Sequence, residues 1–153
     1  LVGSRFGRAQ VKPLASALAA ALLASPALAQ GPGQLLSVDP VVETPAGTQA
    51  WRISYFTRDD RGSPRQATAM VVAPREAIPP RPRPVIAWTH GTWGTAQQCA
   101  PSLSPRFFEL TPAVDAVRRG YVVVAPDYPG LGSPGPHPYL VGTVTARSVL
   151  DAV

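Results

Sequence analysis

Two short runs of the sequence are apolar almost throughout, and they limit the folds that this chain can adopt. PVIAWTH occupies residues 84–90, and YVVVAPD occupies residues 121–127. Strands covered on both faces, as in parallel sheets, have this composition, whereas a strand with one solvated face alternates. About thirty residues separate the runs, which is enough chain for a crossover helix between parallel neighbours. The pair therefore predicts a strand–helix–strand unit with a right-handed connection.

The crossover helix has its own start and stop signals. Thr111 and Pro112 suit the cap and the first helical position, and Gly120 suits the end. The predicted inner face comprises Leu110, Val114 and Val117.

The chain before this unit predicts an antiparallel hairpin. AWRISYFTR at residues 50–58 alternates, a polar turn DDRGSPR follows, and QATAMVVAP at residues 66–74 is a second β-rich run. Residues 75–84 contain four prolines, which favours an extended connection. Residues 30–48 carry little pattern and are predicted to be a lead-in segment.

A second amphipathic helix is predicted from about residue 141 to the last residue. Its apolar positions at i, i+3, i+4 and i+7 are Ala146, Val149, Leu150 and Val153. Arg147 and Asp151 are spaced to pair at i, i+4. A further strand is expected after such a helix, so the chain is predicted to be truncated at its C-terminus.

The first 29 residues are predicted to be a secretory signal peptide. Arg5, Arg8 and Lys12 precede an apolar run that ends in the small-residue pattern of residues 27–29. Removing these three positive charges lowers the net charge from +5 to +2. The remaining residues contain no basic run suited to phosphates, which argues against nucleic-acid binding. The expected organisation is residues 1–29 as signal peptide, 30–48 as lead-in and 49–153 as a partial domain.

A G-x-G-x-x-G pattern occurs at Gly130, Gly132 and Gly135. In a dinucleotide-binding loop, the last glycine opens a helix whose N–H groups hold the pyrophosphate. Here prolines occupy alternate positions from 134 to 138. They remove N–H donors and prevent a helix from starting. We therefore disfavour a nucleotide-dependent oxidoreductase and expect no cofactor.

Asp127, Ser133 and His137 imitate a catalytic triad laid out along the chain. Triads assemble from distant segments, and a nucleophilic serine needs a strained mount such as G-x-S-x-G, which the sequence lacks. Ser133 is therefore interpreted as a turn serine, and His137 as a packing or hydrogen-bonding residue of the loop.

The stronger functional pattern is THGTWG, at the end of the first apolar run. Residues 90–94, called the oxyanion loop below, follow what would be the third strand if the hairpin supplies two. In α/β-hydrolases the loop after that strand supplies one backbone N–H of the oxyanion hole. Gly91 would allow a sharp turn that exposes the N–H of Thr92. The alternative is an ordinary turn at a strand end.

Combined with THGTWG, two further motifs indicate a family. These are CAPS at residues 99–102, and GYVVVAPDYPGLGSPGPHPYLVG followed by ARSVLDAV. Over residues 51–153 the chain resembles the secretory lipases of the α/β-hydrolase superfamily, including bacterial esterase-like members. The resemblance implies an α/β fold, of which this is the N-terminal part: a β-hairpin followed by βαβ units of a mostly parallel sheet, ending before the nucleophile elbow.

The resemblance also implies roles for individual residues. Thr92 corresponds to the oxyanion-hole donor through its backbone N–H, and His90 and Gly91 shape its loop. Trp93 and Tyr128 would line the acyl pocket, with ordinary core packing as the alternative. Cys99 is the only cysteine, and the family's pattern pairs it with a later one. Asp127 is expected to bond to loop N–H groups, and the catalytic Ser, Asp and His are expected beyond Val153.

The predicted function is that of an exported serine hydrolase of carboxylic esters, a lipase or esterase of lipid catabolism. It would act through an acyl-enzyme without a metal or cofactor, and residues 1–153 alone would be inactive. The expected partner is a small-molecule or lipid ester, with contact to a lipid interface and no stable protein partner, in the periplasm or outside the cell. The alternative is a non-catalytic exported binding protein on the same scaffold.

Overall fold

The computed structural model describes residues 31–76 and 79–153. The predicted signal peptide therefore lies outside the described residues. The strands are β1 (Leu35–Val41), β2 (Thr48–Arg58), β3 (Pro64–Pro74), β4 (Val85–Ala87) and β5 (Val122–Pro126). They form one sheet in the order β1-β2-β3-β5-β4. The helices are α1 (Phe107–Leu110), α2 (Ala113–Arg118) and α3 (Gly142–Asp151).

The predicted hairpin is confirmed as the antiparallel pair β2–β3. Its register runs without interruption from Thr48 opposite Pro74 to Arg58 opposite Pro64. Gly62 has a φ of 83° in the connecting turn, a conformation that glycine adopts without steric cost.

The lead-in segment contains a strand that the sequence analysis did not predict. Strand β1 pairs antiparallel with β2, with Val38 opposite Ile53 and a register shift near Leu35. Its sequence, LLSVDPV, does not alternate and contains Pro40, which is tolerated because β1 is an edge strand. Neighbouring-strand pairing rather than local pattern therefore defines this element.

The two apolar runs form the expected parallel pair, since β4 lies parallel to β5 with Ile86 opposite Val123. Strand β5 is largely buried. Strand β4 is not, which corrects the prediction of a strand covered on both faces: Val85 is 47% and Ile86 36% exposed. Among the described residues β4 has a partner strand on one side only.

The connection from β4 to β5 is more broken than predicted. Two 3₁₀ turns, Gln97–Cys99 and Pro101–Leu103, precede α1 and α2. Helix α2 begins one residue after Pro112, and Val117 is buried as expected. Leu110 lies instead at the end of α1 and is exposed, because the chain turns at Thr111 between the two helices.

The sheet carries a different apolar cluster on each face. One cluster contains Met70, Val72 and Val123 from the sheet and packs against Phe107 and Val117 of the connection. The other contains Ile53, Tyr55 and Val124, with Ala152 packed against it at the end of α3. The sheet is therefore the central layer.

The predicted helix at residues 141–153 exists, but its predicted inner face is confirmed only in part: Val149 packs against the buried cluster that contains Tyr128 and Leu131, whereas Ala146 is exposed. Val144 and Ser148 are the buried residues, whereas Leu150 and Val153 are 76% and 69% exposed. Polar contacts seat the helix: the Tyr55 hydroxyl donates to the Ser148 carbonyl at 2.7 Å, and the Thr57 hydroxyl donates to the Asp151 carboxylate at 2.7 Å.

The expected pair between Arg147 and Asp151 is also absent. Asp151 is occupied by Thr57, and the Arg147 guanidinium donates to the carbonyl of Asp59. Within residues 31–76 and 79–153, every helix is too short or too polar to cross a bilayer.

Candidate active site

The oxyanion loop follows the end of β4, the strand that pairs with β5. Trp88 continues the pairing for one residue, since its N–H donates to the carbonyl of Val124 at 2.8 Å. From His90 to Gly94 the backbone is irregular. The last residues of β5, and Asp127 and Tyr128 beyond them, lie beside this loop. The ends of two parallel strands thus meet where the sequence analysis placed the site.

The imidazole of His90 sets the orientation of the Gly91–Thr92 peptide. His90 Nδ1 lies 2.6 Å from the Gly91 carbonyl oxygen. Because a carbonyl oxygen only accepts, this contact is a hydrogen bond in the tautomer that carries its proton on Nδ1. A trans peptide is planar with its C=O and N–H antiparallel, so holding the Gly91 carbonyl directs the Thr92 N–H away from the ring. Within the described residues, nothing accepts a hydrogen bond from that N–H.

Gly91 does not make the sharp turn that the sequence suggested. Its φ lies outside the left-handed region, and a Cβ built on it meets no atom within 4 Å. The left-handed turn occurs instead at Gly94, with a φ of 116°. The space beside Gly91 is open, and Gly91 and Thr92 line the same cavity.

Tyr128 covers His90. Their rings stack with centroids 4.3 Å apart and an interplanar angle of 26°. The Tyr128 hydroxyl donates to the His90 carbonyl at 3.0 Å. On its other side, Tyr128 lies nearly parallel to His137 at 6.3 Å. Burial raises the pKa of the Tyr128 phenol, and its bond to the His90 carbonyl opposes part of that rise.

A cavity of about 190 Å³ opens over the oxyanion loop. The loop residues form one wall, and Tyr128, Leu131, His137 and Tyr139 contribute to the others. Trp93 is half-buried at its edge and lies edge-on to His90, with centroids 6.4 Å apart. The roles of Thr92 as donor and of Trp93 and Tyr128 as pocket residues remain predictions, and all three residues border the same space.

A buried carboxylate, that of Asp127, binds two residues next to this region. Asp127 has no solvent exposure, and its Oδ1 accepts the Ser102 N–H at 2.8 Å. Its Oδ2 accepts the hydroxyls of Ser102 at 2.5 Å and Thr68 at 2.6 Å. Burial raises the pKa of the Asp127 carboxyl, and the hydrogen bonds from Ser102 and Thr68 counteract part of that effect. As expected, Asp127 bonds a loop N–H.

The CAPS motif and the loop after β5 contact each other. Ser102 bonds Asp127, and the Gly132 N–H donates to the Gln97 carbonyl at 2.8 Å. Ala100 packs in one buried cluster with Tyr128 and Leu131. The two motifs are thus opposite sides of one interface.

Cys99 connects this interface to the oxyanion loop. It is a half-buried free thiol, and a Cβ on Gly94 would lie 2.5 Å from its Sγ. Its pairing with a later cysteine stays a prediction.

Neither of the two misleading patterns near Asp127 assembles. Ser133 is buried, and its hydroxyl accepts the Gly130 N–H at 2.9 Å, as in a turn. His137 Nδ1 lies 3.0 Å from the Pro129 carbonyl oxygen. No helix begins at Gly135; the next one, α3, begins at Gly142.

Two polar residues of the site were missed by sequence reasoning. Ser102 bonds Asp127 and also accepts from Arg52 Nε at 3.0 Å, a contact between residues fifty positions apart. Tyr139 places its hydroxyl 3.2 Å from the Thr92 hydroxyl. The available signal for Ser102 was its place at the end of the CAPS motif, as a serine that can bond to backbone or side-chain groups. Nothing in the sequence pattern indicated Tyr139.

Comparison with known proteins identifies the fold. Lipase 2 from Candida albicans is 28% identical over 116 residues, which are 68% of this chain and 23% of that protein. The structure of the rice cell wall degrading esterase LipA from Xanthomonas oryzae has a TM-score of 0.60 and 25% identity, with 80% of this chain and 36% of that chain covered. Candida antarctica lipase A has a TM-score of 0.62 and 20% identity, with coverages of 80% and 30%. No family model matches the sequence.

The mixed sheet and these similarities define a partial α/β-hydrolase fold. The chain is similar to lipases and to an esterase, as the motifs predicted. It spans between about a quarter and about a third of the length of these relatives.

Proposed function

We propose that the complete protein is an exported serine hydrolase of carboxylic esters, a lipase or esterase. The observation that carries the proposal is the Gly91–Thr92 peptide, whose carbonyl is held by His90 and whose N–H has no acceptor among the described residues. A preorganised N–H beside an open cavity is what an oxyanion hole requires. The similarity to lipases and an esterase supports this assignment.

In the proposed reaction, the carbonyl oxygen of the ester lies against the Thr92 N–H. A serine hydroxyl attacks the carbonyl carbon while a histidine takes its proton, and negative charge develops on the oxygen. The tetrahedral species collapses, the alcohol leaves with that proton, and the acyl group remains on the serine. Water then attacks the acyl-enzyme and releases the carboxylic acid. The serine, histidine and aspartate of this scheme are proposed to lie beyond Val153, so residues 31–153 alone are expected to be inactive.

The acyl side of the substrate is proposed to occupy the cavity over the oxyanion loop. A wider groove of about 680 Å³ runs along Tyr128, Leu140 and α3, and it shares Tyr128 and Leu140 with that cavity. Leu140 is 85% exposed at this position. Apolar walls and few polar groups suit an acyl chain. Contact with a lipid interface through Leu140 is part of the proposal.

Export to the periplasm or the medium is proposed from residues 1–29, which combine a basic start, an apolar run and a small-residue cleavage pattern. We expect neither a cofactor nor a nucleic-acid partner, because the reaction needs only side chains and the mature chain lacks a basic run.

The test is a pair of substitutions at one residue of the complete protein. Thr92→Pro removes the backbone N–H, whereas Thr92→Ala keeps it and removes only the side chain. Loss of one oxyanion donor lowers kcat by about 10²–10³-fold, so Thr92→Pro should show that loss on p-nitrophenyl esters, whereas Thr92→Ala should stay close to the wild type because it keeps the donor. Thermal unfolding of both variants checks that the fold survives.

Equal activity of the two variants would remove Thr92 from the oxyanion hole. A complete product without any serine elbow, and without hydrolysis of short or long esters, would instead support the binding-protein alternative.

A further inference from the structure

Tyr128 has a backbone conformation that its side chain disfavours. Its φ is 70°, in the left-handed region, and among the described residues Leu140 is the only other non-glycine there. A bulky residue with this φ is strained and persists only when the surroundings compensate. The interactions that offset this strain are therefore the contacts of the Tyr128 side chain.

What it reaches is the first residue of the oxyanion loop. The ring lies against the His90 imidazole at 4.3 Å, and the hydroxyl donates to the His90 carbonyl at 3.0 Å. The same residue is thereby held at its ring and at its backbone. His90 is buried and has little other freedom, since its Nε2 faces the Asp127 carbonyl oxygen at 3.3 Å.

Holding His90 in both ways determines two successive peptides. The Tyr128 hydroxyl fixes the plane of the His90–Gly91 peptide through its carbonyl. The stacked ring keeps Nδ1 aimed at the Gly91 carbonyl, which fixes the Gly91–Thr92 peptide. The direction of the Thr92 N–H therefore depends on Tyr128, although Tyr128 need not touch the reacting atoms.

We infer that Tyr128 is a positioning residue that orients the oxyanion donor Thr92 through His90. The inference rests on the proposed function, and it gives Tyr128 a role beyond lining the acyl pocket. A wall residue would need its ring but not its hydroxyl. A positioning residue needs the hydroxyl, because that atom makes the bond to the loop backbone.

The chain offers a matched control in Tyr55. It too is buried, and its hydroxyl also donates to a backbone carbonyl, that of Ser148 at 2.7 Å. That bond seats α3 and does not reach the oxyanion loop. Tyr55→Phe and Tyr128→Phe therefore delete the same chemical group from two buried sites, only one of which holds the loop.

The experiment measures kcat, KM and thermal stability of the complete protein and both variants on p-nitrophenyl butyrate. Tyr128→Phe should lower kcat about tenfold, because a misdirected donor loses transition-state stabilisation. Its KM should stay within about twofold, since the ring still lines the pocket. Tyr55→Phe should lower the thermal midpoint with kcat unchanged.

If Tyr128→Phe does not fold, 3,5-difluorotyrosine is placed at position 128 instead. It keeps the ring and hydroxyl but loses its proton at lower pH, and a phenolate cannot donate. The alkaline fall of kcat should then begin at lower pH than in the wild type. The same replacement at position 55 should leave that part of the pH profile unchanged.

The outcomes distinguish a failure of the positioning role from a failure of the proposed function. An active wild type with an unchanged kcat in Tyr128→Phe, or an unshifted alkaline limb in the fluorinated protein, overturns the positioning role alone. A change in KM without a change in kcat would make Tyr128 a pocket wall and also overturns it. A wild type that hydrolyses no ester overturns the proposed function and this role with it.

Discussion

At the scale of single residues, the two glycines of the oxyanion loop differ in backbone conformation and in the space around them. Gly91 has an ordinary backbone conformation and faces open space. Gly94 has a φ of 116°, and a Cβ there would lie 2.5 Å from Cys99 Sγ. One glycine therefore leaves room in the cavity, and the other permits the turn that closes the loop.

This contrast predicts that glycine-to-alanine substitution mainly affects activity at position 91 and mainly affects stability at position 94. Gly91→Ala should change the free energy of unfolding by no more than about 0.5 kcal/mol, yet lower kcat/KM because the methyl group occupies the cavity. Gly94→Ala should cost about 1–3 kcal/mol through strain and overpacking. Chemical denaturation and ester assays of the complete protein measure both. A Gly91→Ala protein with full activity would show that the cavity does not receive substrate.

Asp127 predicts how stability depends on pH. Its folded-state pKa is raised above the ordinary value of 3.8, chiefly by burial. Between these two pKa values the native state binds more protons than the unfolded state, so the free energy of unfolding falls as pH rises. Asp127's contribution is therefore fully present below pH 3.8 and lost as pH rises through the folded-state pKa.

The measurement is denaturant unfolding of the complete protein at a series of pH values from below 3.8 upward. In Asp127→Asn the part of the slope due to this carboxyl should disappear, because the amide does not titrate. Asp115→Asn, which removes a carboxylate that is 77% exposed on α2, serves as the control and should keep the wild-type slope. Identical slopes in all three proteins would mean that Asp127 titrates alike in the folded and unfolded chain.

At the scale of elements, α3 is seated by polar contacts in addition to the apolar packing of Val144 and Ala152. The buried hydroxyl of Thr57 donates to Asp151 at 2.7 Å. Thr57→Val keeps the shape and the β-branch but removes the donor, so it should cost about 1 kcal/mol of stability. Thr145→Val is the control, since its hydroxyl bond within the helix is exposed and 3.4 Å long. Equal losses in the two variants would contradict this account of α3.

The same helix shows what periodicity can and cannot predict. Its existence followed from the spacing of its apolar residues, but its buried face did not. Ser148 and Asp151 lie inward because Tyr55 and Thr57, more than ninety positions away, supply partners. Strand β1 was missed for a similar reason, since its pairing with β2 is invisible in LLSVDPV itself. The hairpin β2–β3 and strand β5 were predictable because their patterns are local.

In the candidate site, too, the features with a local sequence pattern were predictable and the long-range contacts were not. The position of the oxyanion loop followed from a strand end and a His-Gly dipeptide. Its support did not: Ser102 and Thr68 meet at Asp127, and Tyr128 reaches His90, through distances that only the folded chain defines. A motif can be recognised from neighbouring residues, whereas a contact between two motifs leaves no local pattern in the sequence.

At the scale of the whole molecule, one face of the sheet is incompletely covered. A groove of about 520 Å³ runs between the sheet and the end of α3, with Trp51, Ile53 and Val124 on one side and Leu150 and Val153 on the other. It shares no residue with the cavity over the oxyanion loop, although Leu150 also lines the wider groove along α3, and its lining is mostly apolar. Large exposed apolar patches mark sites of contact with another protein surface, a membrane or a ligand, and we expect the remainder of the complete protein to cover this one.

Leu150→Glu tests this surface in two contexts. In residues 31–153 expressed alone, the substitution should reduce the fluorescence of a dye that binds apolar surface, because it places a charge in the groove. Val42→Glu is the control: Val42 is 90% exposed but lies outside the groove, and single exposed apolar residues are ordinary. In the complete protein, which should bind less dye, Leu150→Glu should instead destabilise by about 3 kcal/mol or more, because the charge would be buried. A neutral effect on stability there would show that this face is solvated in the complete protein as well.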